Sequence, residues 1–312
     1  MRKIPIVFSF DNNLSFPACI CLSSLLDTAN ADTYYVIYIL YPETQGLDHS
    51  QIDRLGERYA NFEIHYVGVG NIFDNAFEIR GITMPAYYRL LIPELITEWD
   101  SVLYSDVDVI FRCDLSDIYF NTDLDGCYFG GVLACADMSE EGRDYYDRKM
   151  GLDSAAAIHS GNLIVNSKLI REDGMVAKFK EQAKNDYKYQ DQDVINILCK
   201  GKIRLLPPWY CFFTPFPKLY FEQKEELTQK YTEEEILFSM NHGIVHYNGA
   251  KPWKTYCPNM DIWWECYRKS LYFDHQFYFN FYFSKLDELD QLPLFKRIKI
   301  LLRYFTVGRK RG

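Results

Sequence analysis

Runs of β-branched and aromatic residues alternate along the chain with stretches whose apolar positions recur at helical spacing, which predicts an α/β architecture. Residues 4–10 are almost continuously apolar and read as a buried strand that stops at Asp11-Asn12-Asn13. Pro17 then falls in the first turn of a helix through Leu26, a position where its missing N–H costs nothing. Residues 34–40 and 63–69 read as the second and third strands, with a helix over 51–59 between them. A helix is expected over 85–91, and a strand over 102–104 that runs directly into Asp106-Val107-Asp108. Further on, strands are expected over 127–136 and 157–165, separated by a polar, charged insertion at 137–153. Residues 167–185 and 193–199 read as helical. The aromatic stretch 205–221 reads as loop, because its prolines remove ladder donors. A short strand at 244–246 precedes mostly aromatic helical material from Trp253 onward. With no internal repeat and no low-complexity linker, the economical division is one α/β domain over 1–258 and a C-terminal helical segment over 259–312.

Charge refines this picture. The net charge is −9, yet residues 293–312 carry seven basic residues and no acid, so the preceding 292 residues hold −16. An acidic body argues against nucleic acid as the main partner. Aromatics reach 17% of the chain, an excess that suits sugar stacking, a membrane interface or a protein contact alike. The nine cysteines are odd in number and lack zinc-ribbon or disulfide spacing. Reduced thiols in a cytoplasmic protein are therefore expected. Met1-Arg2-Lys3 leads into a strand-like segment rather than a secretory h-region, and no apolar run reaches the roughly 18–20 residues of a spanning helix.

Two segments carry candidate chemistry. In Val102-Leu-Tyr-Ser-Asp106-Val-Asp108-Val-Ile, two Asp two residues apart at a strand end can point the same way. Apolar flanks make the pair partly buried, and two unpaired carboxylates there repel unless a cation such as Mg²⁺ or Mn²⁺ joins them. The competing reading is a solvated pair capping a loop. In Ile244-Val-His246-Tyr-Asn-Gly249-Ala-Lys251-Pro-Trp253, an imidazole at a strand end could add a nitrogen ligand that favours Mn²⁺. Gly249 would admit a phosphate close to the backbone, and Lys251 would supply a point charge. A lone His is otherwise often structural.

Five motifs in order complete the pattern: the opening strand with Asp11 and Asn13, Ala86-Tyr-Tyr-Arg89-Leu, Tyr104-Ser-Asp106-Val-Asp108, Tyr189-Gln-Asp191-Gln192-Asp193, and His246-Tyr-Asn-Gly249-Ala-Lys251-Pro-Trp253. Together, over residues 4 to 256, they resemble glycosyltransferase family 8. The resemblance implies a GT-A fold with a central mixed sheet flanked by helices, a UDP-hexose donor, Mn²⁺ (or Mg²⁺) and retention of the anomeric configuration. It implies Asp106, Asp108 and His246 as metal ligands, with Val107 beside the donor. Ser9, Asp11 and Asn13 would meet the uridine, Asp11 accepting from the uracil N–H. Gly249 and Lys251 would hold the diphosphate, and Arg89, Asp137, Asp191 and Gln192 would surround the transferred sugar. The chain departs from the family pattern twice. Only Ala250 separates Gly249 from Lys251, where the family usually has two residues. His159-Ser160-Gly161-Asn162 replaces an Asn-Ser/Ala-Gly segment, so His159 either touches the donor sugar or packs only.

The function implied is hexose transfer to a saccharide or glycolipid acceptor, such as lipopolysaccharide. Gln192 would serve as a dipole beside an oxocarbenium-like cation during same-face attack, with Asp191 on sugar hydroxyls or, alternatively, capping a helix. Residues 137–153 and 209–221 are expected to fold over the donor. In the tail, Phe295, Ile298, Leu301, Leu302 and Phe305 recur at helical spacing among Lys296, Arg297, Lys299 and Arg303, which suits peripheral contact with the anionic inner face of a membrane through 293–312. The rival readings are a nucleotide-sugar hydrolase, a non-catalytic sugar-nucleotide-binding protein, and self-glucosylation.

Overall fold

The computed structural model describes residues 1–73 and 84–307. Among these described residues ten strands appear in chain order: β1 (Arg2–Ser9), β2 (Thr33–Pro42), β3 (Phe62–Val69), β4 (Val102–Ser105), β5 (Val109–Phe111), β6 (Phe129–Leu133), β7 (Ile158–Val165), β8 (Ile203–Leu205), β9 (Phe212–Phe213) and β10 (Ile244–His246). Seven of them form a mixed sheet in the order β3-β2-β1-β4-β7-β6-β8, parallel from β3 to β4 and antiparallel on both sides of β7. The sheet is covered on both faces. Ile4, Ile6 and Phe8 of β1 and Tyr35, Ile37 and Ile39 of β2 enter one core, while Val7, Val36, Tyr38 and Leu40 enter the other. Burial of both faces explains why these strands read as unbroken apolar runs.

A second, three-stranded sheet sits at the end of the first, with β10 antiparallel to β5 and parallel to β9. Behind it pack α1 (Ser15–Asp27), α3 (Met260–Lys269) and α4 (His275–Asp290); α2 (Asp191–Leu198) lies nearer the large sheet, and α5 (Leu294–Val307) closes the chain. Trp263, Trp264, Tyr267 and Phe281 bury themselves against Ile20 of α1, Ile110 of β5, Val245 of β10 and the following Tyr247. Much of the aromatic excess is spent there, inside the protein.

Several expectations need correction. The helix expected over 51–59 is one α-turn, Ser50–Asp53, continued as a 3-10 turn over Arg54–Glu57. Met84–Leu91 is likewise a 3-10 helix rather than an α-helix. Its residues 87–91 are all buried, leaving no polar face, and Pro93 has no N–H to bond back to the Arg89 carbonyl. Residues 167–185 split into Ser167–Glu172 and Met175–Gln182 at Gly174, whose φ of 61° only glycine adopts readily. The 205–221 stretch is not loop throughout: it holds β9, a 3-10 turn over Pro208–Cys211 and a helix over Phe216–Glu222. The insertion at 137–153 is helical. A π-turn over Asp144–Lys149 lets the adjacent Tyr145 and Tyr146 both point inward, where their hydroxyls donate to Asp193 at 2.6 and 3.0 Å. Among the described residues, no helix is long and apolar enough to cross a membrane, and all nine cysteines are free thiols.

Candidate active site

The strand pairing builds the site. The register Val7↔Tyr104 between β1 and β4 brings Ser9 level with Asp106 at the carboxyl ends of the parallel strands, where open α/β sheets place their ligands. Asp108 immediately precedes β5, and the pairing His246↔Val109 sets His246 beside it. His246 Nε2 lies 3.2 Å from Asp108 Oδ1 and 3.6 Å from Asp106 Oδ2. One donor atom from each of the three residues lies within 4.8 Å of the others.

The remaining carboxylate oxygens are already engaged. Asp106 Oδ1 accepts from Arg89 Nη2 at 2.9 Å and from the Tyr104 hydroxyl at 2.8 Å. Asp108 Oδ2 pairs with Lys251 Nζ, which also donates to the Tyr247 carbonyl at 2.6 Å. Asp106 Oδ2 and Asp108 Oδ1 therefore face the imidazole together. Burial alone would push the Asp108 carboxyl up, but Lys251 and His246 hold it well below the ordinary carboxylate range. Burial likewise disfavours the His246 imidazolium, yet Asp108 overrides it and raises the pKa to about 10. A proton and an ammonium thus do the balancing that a divalent ion could do, and two carboxylates with one imidazole are a donor set suited to Mn²⁺.

A second chain of contacts runs deeper. Arg89 is buried, its ring-facing side 4.4 Å from the Tyr104 centroid, and Nε pairs with Asp191 Oδ2 at 3.1 Å. Its Nη1 donates to the Ser160 carbonyl and, at 3.2 Å, to the Ser160 hydroxyl. Burial pushes the Asp191 carboxyl up to about 6 against the pull of Arg89. Asp191 is the first residue of α2, with Gln190 (φ 49°) at the cap position, so it faces Arg89 rather than capping the helix. Gln192 is fixed at both ends of its carboxamide: Oε1 accepts the Ser160 N–H at 3.3 Å and Nε2 donates to the Tyr146 hydroxyl at 3.1 Å.

This geometry coincides with a sequence match. Residues 5–257 fit the description "Glycosyl transferase family 8". The chain belongs to glycosyltransferase family 8. Among curated relatives, it is 30% identical over 176 residues to a lipopolysaccharide 1,2-glucosyltransferase of Escherichia coli K12, covering 54% of this chain and 48% of that one. It is 26% identical over 245 residues to general stress protein A of Bacillus subtilis, covering 74% of this chain and 81% of that one. The chain spans about half the length of several curated relatives it matches. Among solved structures, the galactosyltransferase LgtC in complex with donor and acceptor sugar analogs superposes with a TM-score of 0.69 at 24% identity, over 88% of this chain and 98% of that one. The bifunctional glycosyltransferase WbbM gives 0.72 at 19% identity, over 88% and 51%. The fold is GT-A, as the family resemblance implied.

The other residues that the family pattern singled out in this family-8 chain are distributed as follows. Ser9 is buried and donates to the Pro85 carbonyl at 2.7 Å. Asp11 accepts the Asn13 N–H at 2.9 Å and caps the short turn Asn12–Leu14. The Val107 side chain enters the core, leaving only its backbone toward the site. Gly249 is exposed, with nothing within 4 Å of where a Cβ would stand. Lys251 reaches Asp108 despite the shortened spacing. Asp137 shares no hydrogen bond or ion pair with the Arg89 chain among the described residues: Lys230 pairs with its Oδ2 at 2.7 Å, and its buried Oδ1 has no hydrogen-bond partner among them. His159 stacks on Phe213, with ring centroids 5.7 Å apart, and meets His246 edge-on.

Three contributors have no role in the motif reading, although Tyr104 and Gly161 lie within the quoted motifs. Tyr104 was read as strand, yet its hydroxyl orients Asp106. Gly161 stands where a Cβ would meet His246 Cε1 at 2.2 Å and Asp106 Oδ2 at 2.8 Å. A glycine inside a strand is the one available hint of such close approach. Cys211, in a stretch read as loop, sits 3.5 Å from His246 Nδ1.

Proposed function

We propose that this family-8 chain is a retaining hexosyltransferase that moves glucose or galactose from a UDP-sugar to a saccharide acceptor, using Mn²⁺ or Mg²⁺ held by Asp106, Asp108 and His246. The observation that carries this reading is the convergence of those three groups, distant in sequence, at the carboxyl ends of the parallel strands. A divalent ion there would neutralise charge on the departing diphosphate. Lys251 would turn from Asp108 to the same phosphates, and Gly249 would let them approach its backbone. Ser9, Asp11 and Asn13 would frame the uridine, with Asp11 taking the uracil N–H.

Around the hexose, Arg89 braces Asp191 and Ser160 in fixed positions, Asp191 and the buried Oδ1 of Asp137 accept sugar hydroxyls, and His159 closes one wall. Gln192 is held by Ser160 and Tyr146 and is a poor nucleophile. Its carbonyl dipole would stabilise positive charge at the anomeric carbon without bonding to it, which favours attack from the face that the diphosphate leaves. The insertion at 137–153, tied to α2 through Asp193, would cover the donor together with 209–221.

The relatives' names support a cell-surface glycan such as lipopolysaccharide as acceptor. The catalytic unit would end near residue 258. In the remainder, α5 exposes Leu294, Phe295, Ile298, Leu301 and Phe305 beside Lys296, Arg297 and Lys299, and would rest on the anionic inner face of the membrane. Arg309, Lys310 and Arg311 lie outside the described residues.

Incubating the protein with a panel of UDP-hexoses and Mn²⁺, with and without saccharide acceptors, tests the reading. One UDP-hexose is expected to give slow sugar release alone and faster transfer when acceptor is present, with the donor's anomeric configuration kept. Release that no acceptor diverts would favour the hydrolase, and no turnover of any donor would favour a binding protein.

A further inference from the structure

On the far edge of the His246 ring lies a second set of donors, one of which, the Cys211 thiol, hexose transfer leaves unused. Cys211 ends the turn Pro208–Cys211 and places Sγ 3.5 Å from His246 Nδ1 and 3.9 Å from His159 Nδ1, whose lone pair accepts the Gly161 N–H at 3.1 Å, a bond that a metal ion would replace. One donor atom from each of these three residues lies within 4.8 Å of the others. The two imidazoles converge rather than stack, at 79° with centroids 4.9 Å apart. Cys211 and His246 are almost wholly buried, at 0% and 1% exposure, so solvent does not dilute the cluster. A zinc ion with a thiolate at about 2.3 Å and an imidazole at about 2.0–2.1 Å, in a tetrahedron, holds sulfur and nitrogen roughly 3.6 Å apart. The two sulfur–nitrogen separations bracket that value. Sulfur and imidazole suit Zn²⁺, whereas the oxygen-rich face of His246 suits Mn²⁺ or Mg²⁺.

We propose that His159, Cys211 and His246 form a second, soft-cation site for Zn²⁺, and that the two faces of His246 make occupancy of this site and of the acidic site mutually exclusive. The exclusion rests on the metal reading of Asp106 and Asp108; the soft site does not. A neutral imidazole has one lone pair. With Nδ1 bound to Zn²⁺, the ring proton sits on Nε2, the nitrogen that faces Asp108 at 3.2 Å, and nothing remains there for a second ion. The Cys211 proton leaves to solvent as the thiolate binds. Zinc would thus switch the transferase off from behind its own metal ligand.

Titrating the purified chain with Co²⁺ reports thiolate ligation directly through its charge-transfer absorption. The band is expected to saturate at one equivalent, to survive Asp106→Asn with Asp108→Asn, and to vanish in Cys211→Ser. No band, or a band indifferent to Cys211→Ser, overturns the soft site. Should Cys211→Ser fail to fold, His159→Asn gives the second reading: Co²⁺ affinity falls by at least about tenfold if the site is real and stays unchanged if it is not. Bound Mn²⁺, followed by its electron paramagnetic resonance signal, tests the exclusion. Zn²⁺ should displace Mn²⁺ from the wild type, and Cys211→Ser should need at least about tenfold more; an unchanged requirement overturns it. A chain that shows the cobalt band but binds no Mn²⁺ sinks the acidic-site reading while supporting the soft site.

Discussion

Replacing Asp106 and Asp108 together by Asn is expected to lower Mn²⁺-dependent turnover of the UDP-hexose by at least about 10³-fold, with the fold preserved. Asn keeps the volume and an acceptor oxygen, so Arg89, Tyr104 and Lys251 retain partners. What is lost is charge at Asp106 Oδ2 and Asp108 Oδ1, the two oxygens that face His246. Electrostatic stabilisation of a leaving group by a bound ion contributes several kcal/mol, and each roughly 1.4 kcal/mol is a factor of ten in rate. Steady-state rates for the wild type and the double variant, with circular dichroism to verify folding, decide the matter. A loss below about tenfold would mean that these carboxylates do not serve the reaction.

The second large effect is expected from a single methyl group. Gly161→Ala removes no chemistry, yet its Cβ would stand 2.2 Å from His246 Cε1 and 2.8 Å from Asp106 Oδ2. The ring cannot retreat cheaply: it is almost wholly buried, with Cys211 on its other edge. Nor can the strand, since the Gly161 carbonyl accepts the Asp106 N–H at 2.7 Å. Overpacking of this kind costs about 1–3 kcal/mol of stability. Displacing one ligand of three should weaken Mn²⁺ binding by about 10²-fold or more, since disturbing even the outer partners of a metal ligand costs 10- to 100-fold. Isothermal titration with Mn²⁺ and thermal melts of both proteins measure the two effects. Wild-type affinity in Gly161→Ala would show that the gap beside His246 is not needed.

How much of this was legible beforehand follows from burial and pairing. β1, β2 and β4 could be read because both of their faces are buried, so nearly all their side chains are apolar whatever the partner, while β3 and β7 kept enough β-branched and aromatic residues to be read despite their polar positions. β5 and β9 could not: three and two residues long, they exist only because β10 lies between them, which is tertiary information. The same short pairings carry His246 to Asp108, so the ligand types were readable but their convergence was not. Arg89 was expected against the sugar; its first task is to pair with Asp106 and Asp191, a role visible only once the 3-10 helix and α2 are brought together. Residues 137–153 looked like a polar excursion because their charges are in sequence, while Tyr145 and Tyr146 are held down by Asp193, far along the chain.

The central claim is that Asp106, Asp108 and His246 hold a divalent ion against the donor's diphosphate. Calorimetric binding of UDP to the wild-type chain, in saturating Mn²⁺ and again in chelator, tests it most directly. The account predicts binding at least about tenfold tighter with Mn²⁺, because an ion between the carboxylates and the phosphates removes a repulsion that otherwise opposes binding. Equal affinity in the two conditions would contradict it.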